Sequence, residues 1–209
     1  RGLAACFSFY PTKNLGAVGQ AGAVVTNDPD LSGQIRILRA HGEVERFASY
    51  YLSGNYRMDE LQAAILRVKL PHLDAWNKRR REIAAMYQHM LRNIPQAREH
   101  DMPRYVELPV ELPEDHPEHV YHIYAVATPE RDSLATFLQE RGIQTAVRYP
   151  VPLHLQPALS YLGYKKGDFP DAERWADETL SLPIHESMTD SAVEYVCEQI
   201  RGWASARVG

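Results

Sequence analysis

The 209-residue sequence predicts an α/β fold. Two short apolar runs near the start, residues 5–9 and 21–26, have strand character, and Pro11 breaks the first of them. From Met58 the apolar residues recur at helical spacing for a long stretch. From Val120 the pattern is strand, helix, strand and then helices, the grammar of a small α/β lobe.

Each element has a local reason. Residues 21–26 are small and β-branched, which suits a strand. Asn27-Asp28-Pro29 is a helix start, with Asp28 as the N-cap and Pro29 at the first helical position. That helix carries Leu31, Ile35 and Leu38 inward and ends near His41-Gly42. Residues 43–55 show no clean period and read as an irregular loop rich in aromatic residues. The helical stretch after Met58 runs through Ile83, Tyr87 and Leu91, with a kink or break expected at Pro71. Residues 95–118 read as loop with a short strand near Tyr105-Val106. Residues 120–128 read as a strand, 131–140 as a helix stopped at Gly142, and 143–149 as a second strand. Helices are expected at about 170–180 and 190–204.

Composition excludes several classes. Hydrophobic residues make up 44% and charged residues 24%, ordinary for a soluble globular protein with one large or two small domains. No apolar run approaches a membrane span, so no membrane partner is expected. A net charge of −4 gives no global basic field for nucleic acid. Cys6 and Cys197 lie far apart and suggest no disulfide framework, so a reducing cytoplasm is the expected compartment, with both thiols buried. The chain opens directly into a strand-like stretch with no initiator Met or leader pattern, and reads as entered within a domain.

The chemistry is carried first by Ser8-Phe9-Tyr10-Pro11-Thr12-Lys13-Asn14-Leu15-Gly16. A lysine on a tight loop just past a strand is poorly placed as a solubilising charge. An amine that attacks an aldehyde must be neutral part of the time, a fraction that partial burial or a nearby cation supplies. Ser8, at a strand end, offers a hydroxyl to a phosphate oxygen, and Gly16, Gly19 and Gly22 let the backbone approach closely. No helix follows these glycines directly, so they are not a dinucleotide fingerprint. From composition alone the commoner reading of Lys13 is a surface residue in a turn.

The run SFYPTKNLGAVGQAGAVVTND resembles the lysine motif of the DegT/DnrJ/StrS family of sugar aminotransferases that depend on pyridoxal 5'-phosphate (PLP). Gly54-Asn55-Tyr56-Arg57-Met58-Asp59-Glu60-Leu61-Gln62-Ala63-Ala64 resembles a second block of that family. Gly142-Ile143 with Tyr149-Pro150-Val151-Pro152-Leu153-His154 resembles a third, and Leu180-Ser181-Leu182-Pro183-Ile184-His185 a fourth. The resemblance implies the fold type I (aspartate aminotransferase-like) architecture, with residues 1–90 closing the PLP-binding large domain and 91–209 forming the small α/β domain. It implies that Lys13 holds PLP as a Schiff base and moves the proton during transfer, and that Ser8 binds the PLP phosphate. It implies a homodimer with shared active sites, in which Asn55 reaches the cofactor phosphate of the neighbouring subunit. Tyr10 stands where the family often has an aromatic ring or His and is a candidate for the sugar; Tyr149 and His154 would line the substrate entrance. The implied reaction passes an amino group from an amino-acid donor, glutamate or glutamine, to a keto sugar, most often one linked to a nucleotide. A sugar dehydratase is disfavoured because the lysine is present, and a non-catalytic sugar-nucleotide binder is the alternative from another class.

Two positions depart from the pattern. The family usually has Gly-Asp-Gly-Gly after the lysine loop, whereas this chain has Gly19-Gln20-Ala21-Gly22. The third block commonly has His before Tyr-Pro; Arg148 stands here and, at the substrate, favours an anionic group such as a nucleotide phosphate. The Asp that pairs with the pyridine nitrogen in this fold is expected upstream.

Rival signals are weaker. His116, His119 and His122 have suggestive spacing, but Pro117 interrupts any shared helix face and alternation turns the last two apart, so no metal is expected. The basic run at residues 78–81 is followed by Glu82 and reads as a solvated helix face.

Overall fold

The structure, a computed structural model, describes residues 2–92 and 119–207. It divides into two compact units, Arg1–Ala75 and Trp76–Gly209.

The first unit opens with an antiparallel ribbon, β1 (Ala4–Ser8) and β2 (Gly22–Thr26), paired from Ala4↔Thr26 to Ser8↔Gly22. Helix α1 (Pro29–Leu38) starts as its sequence dictates: Asp28 Oδ1 accepts the N–H groups of Asp30 at 2.9 Å and Leu31 at 3.0 Å, and Pro29 needs no partner for the amide it lacks. The chain then turns through His41 and Gly42, both at positive φ. A side chain at position 42 would meet the Tyr51 carbonyl oxygen, so only glycine fits there. The segment expected to be irregular contains a small bulged hairpin, β3 (Glu43–Glu45) and β4 (Ala48–Ser49), with Phe47 at φ 66° in its turn. Helix α2 (Glu60–Lys69) follows, a single 3₁₀ turn over Leu70–His72 absorbs Pro71, and α3 (Leu73–Leu91) continues. The ribbon departs from expectation in one respect. It is not buried: all five residues of β1 are exposed, Phe7 by 52%, and among the described residues the ribbon has only two strands. The α1 residues Leu31, Ile35 and Leu38 are likewise only partly covered or exposed. Cys6 is exposed with the ribbon, contrary to the expected burial of both thiols.

The second unit has a dense core. Ile83, Tyr87 and Leu91 lie one turn apart on one stripe of α3 and are fully enclosed or nearly so. They meet Tyr124 and Val126 of β5 (Tyr124–Ala127), Leu134 and Leu138 of α4 (Arg131–Gln139), and Val193, Ile200 and Trp203 of α6 (Asp190–Ser205). β5 pairs antiparallel with β6 (Thr179–Leu182), which follows α5 (Pro170–Glu178) without a loop. That abrupt junction is why the sequence reads as helix to residue 180. β5 is shorter than the expected strand at 120–128, since Tyr121 adopts φ 40° and cannot continue a ladder. The strand expected at 143–149 reduces to one bridge, Ala146↔Ser181; Tyr149 at φ 55° and Pro150 end any pairing beyond it. Gly142, at φ 74°, stops α4 as anticipated. Cys197 is buried in α6, and desolvation pushes its thiol up to about 12.

Among the described residues of this unit, Arg80 is a charged residue enclosed in the interior. The Arg80 guanidinium, 5% exposed, donates to the carbonyl oxygens of Tyr121 at 3.2 Å and Ile184 at 3.1 Å and faces Glu186 at 3.4 Å. It ties α3 to the approach to β5 and to the segment after β6. The strand anticipated near Tyr105 and the residue His116 fall outside the described residues. Among the described residues no cluster of metal-binding side chains occurs, and no helix is long and apolar enough to cross a membrane.

Candidate functional site

Lys13 sits on a closed loop whose geometry follows from its sequence. Phe9 closes the loop on both sides: its N–H donates to Ala21 O at 2.9 Å and its carbonyl accepts from Ala17 N–H at 2.8 Å. Inside that closure, Pro11 fixes the turn and the Lys13 N–H donates to Tyr10 O at 2.8 Å. The Tyr10 N–H in turn reaches Ser8 Oγ at 3.3 Å. The structure therefore joins Ser8, Tyr10 and Lys13 in one hydrogen-bonded run. Gly16 closes the loop where no side chain fits, since a Cβ would lie 2.4 Å from Pro11 O. The Lys13 side chain is half-buried, and no ion pair or side-chain hydrogen bond engages its amine among the described residues. Ser8 Oγ accepts from Tyr10, which leaves its own hydroxyl proton free to donate.

Asn55 lies in a different part of the same unit. It forms an isolated bridge with Ala40, and its Oδ1 accepts from Arg57 Nε at 2.9 Å and from Arg57 N–H at 3.4 Å. With Oδ1 engaged by Arg57, the amide's NH₂ remains the donor end of the side chain. No hydrogen bond joins Asn55 to Ser8, Tyr10 or Lys13 among the described residues. Sequence reasoning passed over Arg57, although its position two residues after Asn55 was the available signal.

The remaining candidates are in the second unit. Arg148 is exposed and borders a cleft of about 250 Å³ with Gln144, Thr145 and Ser181. Tyr149 is 81% exposed on a left-handed backbone. His154 is placed differently: its side chain is turned inward, 8% exposed, with Nε2 3.0 Å from Glu173 Oε1. Its ring lies 4.9 Å from that of Phe169. Oε1 of Glu173 also accepts the Gly167 N–H at 2.7 Å, and this contact, with a smaller contribution from His154, holds the carboxyl below the usual carboxylate range. The loop from Val147 to Leu153 is thus fastened at both ends to consecutive elements, to β6 through Ala146↔Ser181 and to α5 through His154 and Glu173.

The model of the DegT/DnrJ/EryC1/StrS aminotransferase family matches residues 1–201. The chain belongs to that family. It is 46% identical over 199 residues to the "Pleiotropic regulatory protein" of Geobacillus stearothermophilus, covering 95% of this chain and 51% of that protein. It is 42% identical over 200 residues to the dTDP-3-amino-3,4,6-trideoxy-alpha-D-glucose transaminase of Streptomyces venezuelae, covering 96% and 50%. The crystal structure of S. venezuelae DesV in complex with a ketimine intermediate superposes with a TM-score of 0.86 at 41% identity, covering 97% of this chain and 52% of that one. The fold is therefore that of the fold type I PLP-dependent sugar aminotransferases, as the sequence implied. The chain spans about half the length of these relatives.

The residues present fit PLP, the family's cofactor. An unengaged, half-buried amine at Lys13 suits an aldehyde, and a hydroxyl donor at Ser8 on the same hydrogen-bonded run suits a phosphate.

Proposed function

We propose that this chain is the lysine-bearing part of a PLP-dependent aminotransferase that passes an amino group from an amino acid, glutamate or glutamine, to a nucleotide-linked keto sugar. The observation that carries the reading is the hydrogen-bonded run Ser8–Tyr10–Lys13 with its unengaged amine, in a chain of this family. PLP, when bound, supplies the electron sink that lets an amino group and a proton exchange at a neighbouring carbon.

The roles of the chain's own residues follow. Lys13 holds the cofactor through Nζ and, when displaced, takes and returns the proton at the substrate carbon. Ser8 donates its hydroxyl proton to the cofactor phosphate. Asn55, its Oδ1 held by Arg57, presents its NH₂ to the phosphate in the neighbouring subunit of a homodimer with shared active sites. Tyr10 contacts the sugar. Arg148 and Tyr149 face the substrate, Arg148 meeting a nucleotide phosphate, while His154 shapes the entrance through its hold on their loop. Residues 1–90 complete the large domain and 91–209 form the small one, and the protein acts in the cytoplasm.

The deciding experiment is the absorbance of the full-length protein with PLP. The near-visible band of lysine-bound PLP is expected in the wild type and absent in Lys13→Ala; an unchanged band in the variant overturns the reading. One observation favours a second reading, a regulator on the same scaffold: the Geobacillus relative is named a regulatory protein. Release of 2-oxoglutarate from glutamate, or of 2-oxoglutaramate from glutamine, by the PLP-loaded protein separates the two, because a pure binder releases neither.

A further inference from the structure

The loop that carries Lys13 is gripped from outside by one face of α2. Gln62 and Lys69 lie seven residues apart on that face, with Leu66, 7% exposed, one turn from each. Gln62 Oε1 accepts the Val18 N–H at 3.0 Å, and its Nε2 lies where a side chain on Gly19 would fall, 2.9 Å from the would-be Cβ. The Lys69 ammonium donates to Gly16 O. Both contacts engage backbone groups, Val18 N–H and Gly16 O, that the loop's own turns leave over. Helix α2 begins immediately after the segment that carries Asn55, so one rigid element connects two parts of the proposed cofactor machinery.

We propose that Gln62 and Lys69 are positioning residues that set the Lys13 loop in the geometry that receives PLP. The proposal rests on the PLP reading above and deepens it. Neither side chain is assigned a contact with the cofactor. Their effect is on the backbone at Gly16 and Val18, and through the closed loop on where the Lys13 amine stands.

The test uses the full-length protein, with two measurements: amide hydrogen exchange across residues 14–19 in the absence of PLP, and the PLP dissociation constant from spectral titration. Gln62→Leu removes the acceptor at similar size, whereas Gln62→Glu keeps an oxygen to accept the Val18 N–H. Gln62→Leu is expected to speed exchange at Val18 and to weaken PLP binding on the order of tenfold, the scale of one lost hydrogen bond. Gln62→Glu is expected to stay within about threefold of wild type by retaining that bond. PLP affinity unchanged in Gln62→Leu overturns the proposal, and so does an equal loss in both variants, which would mean packing alone. Should Gln62→Leu not fold, Lys69→Met reads the second contact, with the same loss of affinity expected and no loss overturning the idea. If the wild type binds no PLP, the functional reading falls, while Val18 exchange still decides the grip: faster in Gln62→Leu supports it, unchanged overturns it.

Discussion

His154 and Glu173, nineteen residues apart in sequence, meet with Nε2 and Oε1 separated by 3.0 Å, and their side chains are only 8% and 12% exposed. The pair fastens one end of the exposed loop that carries Arg148 and Tyr149. Because Gly167 and His154 hold the Glu173 carboxyl below its ordinary value, the ionised form is favoured by folding. The stability it contributes is complete above the ordinary glutamate range, about pH 4.3, and is lost as pH falls through the depressed folded value. Thermal melting followed from pH 7 to pH 3 should therefore show an acid limb that is shallower in Glu173→Gln than in wild type. Identical limbs would remove Glu173 from the account.

Arg57→Ala frees Asn55 Oδ1 and lets the amide turn over. PLP affinity of the full-length protein is expected to fall by about tenfold or more, the effect of one charge-assisted hydrogen bond. Melting temperature should hardly move, since both residues are exposed. Spectral titration beside calorimetry checks the two expectations together.

How much of this was legible in the sequence depends on where each partner lies along the chain. Ser8, Tyr10 and Lys13 could be read together because local turns bring them together, and the α1 cap at Asp28 is likewise a three-residue affair. Gln62, Lys69 and Glu173 could not be read in this way. Their partners stand 44, 53 and 19 residues away, and no periodicity in the sequence announces such a meeting. The fold was legible wherever spacing alone decides it, as in α3 and α6. It departs from expectation at residues 120–128, where the left-handed Tyr121 cuts short a run whose composition suits a strand, and at 143–149, where pairing reduces to the single bridge Ala146↔Ser181. β6 was missed because α5 passes into it with no turn residue between them.

Gly16→Ala tests the loop from inside. The new methyl would lie 2.4 Å from the Pro11 carbonyl oxygen, a backbone atom that can yield only by moving the turn before Lys13. We expect loss of at least about tenfold in PLP affinity, comparable to forfeiting a well-made hydrogen bond, with the Lys13 amine still present and still open to general amine reagents. Retained affinity would show that the turn tolerates the shift.

Arg80→Met tests the buried guanidinium. The carbonyls of Tyr121 and Ile184 lose their donor, and destabilisation of about 1–3 kcal/mol is expected from unsatisfied buried acceptors. Denaturant midpoints at constant slope measure it. A variant as stable as wild type would mean that water replaces the guanidinium.

A search for variants that only survive heat would reach Tyr149 early. Its φ of 55° costs a tyrosine of order 1 kcal/mol or more, and glycine would relieve that cost. Tyr149→Gly should therefore melt at a higher temperature than wild type while, on the proposed function, binding the proposed nucleotide-sugar substrate less well. If so, the ring is kept at this position by selection for turnover against selection for robustness, and lineages adapted to hotter settings should have had to find support for it elsewhere in the loop.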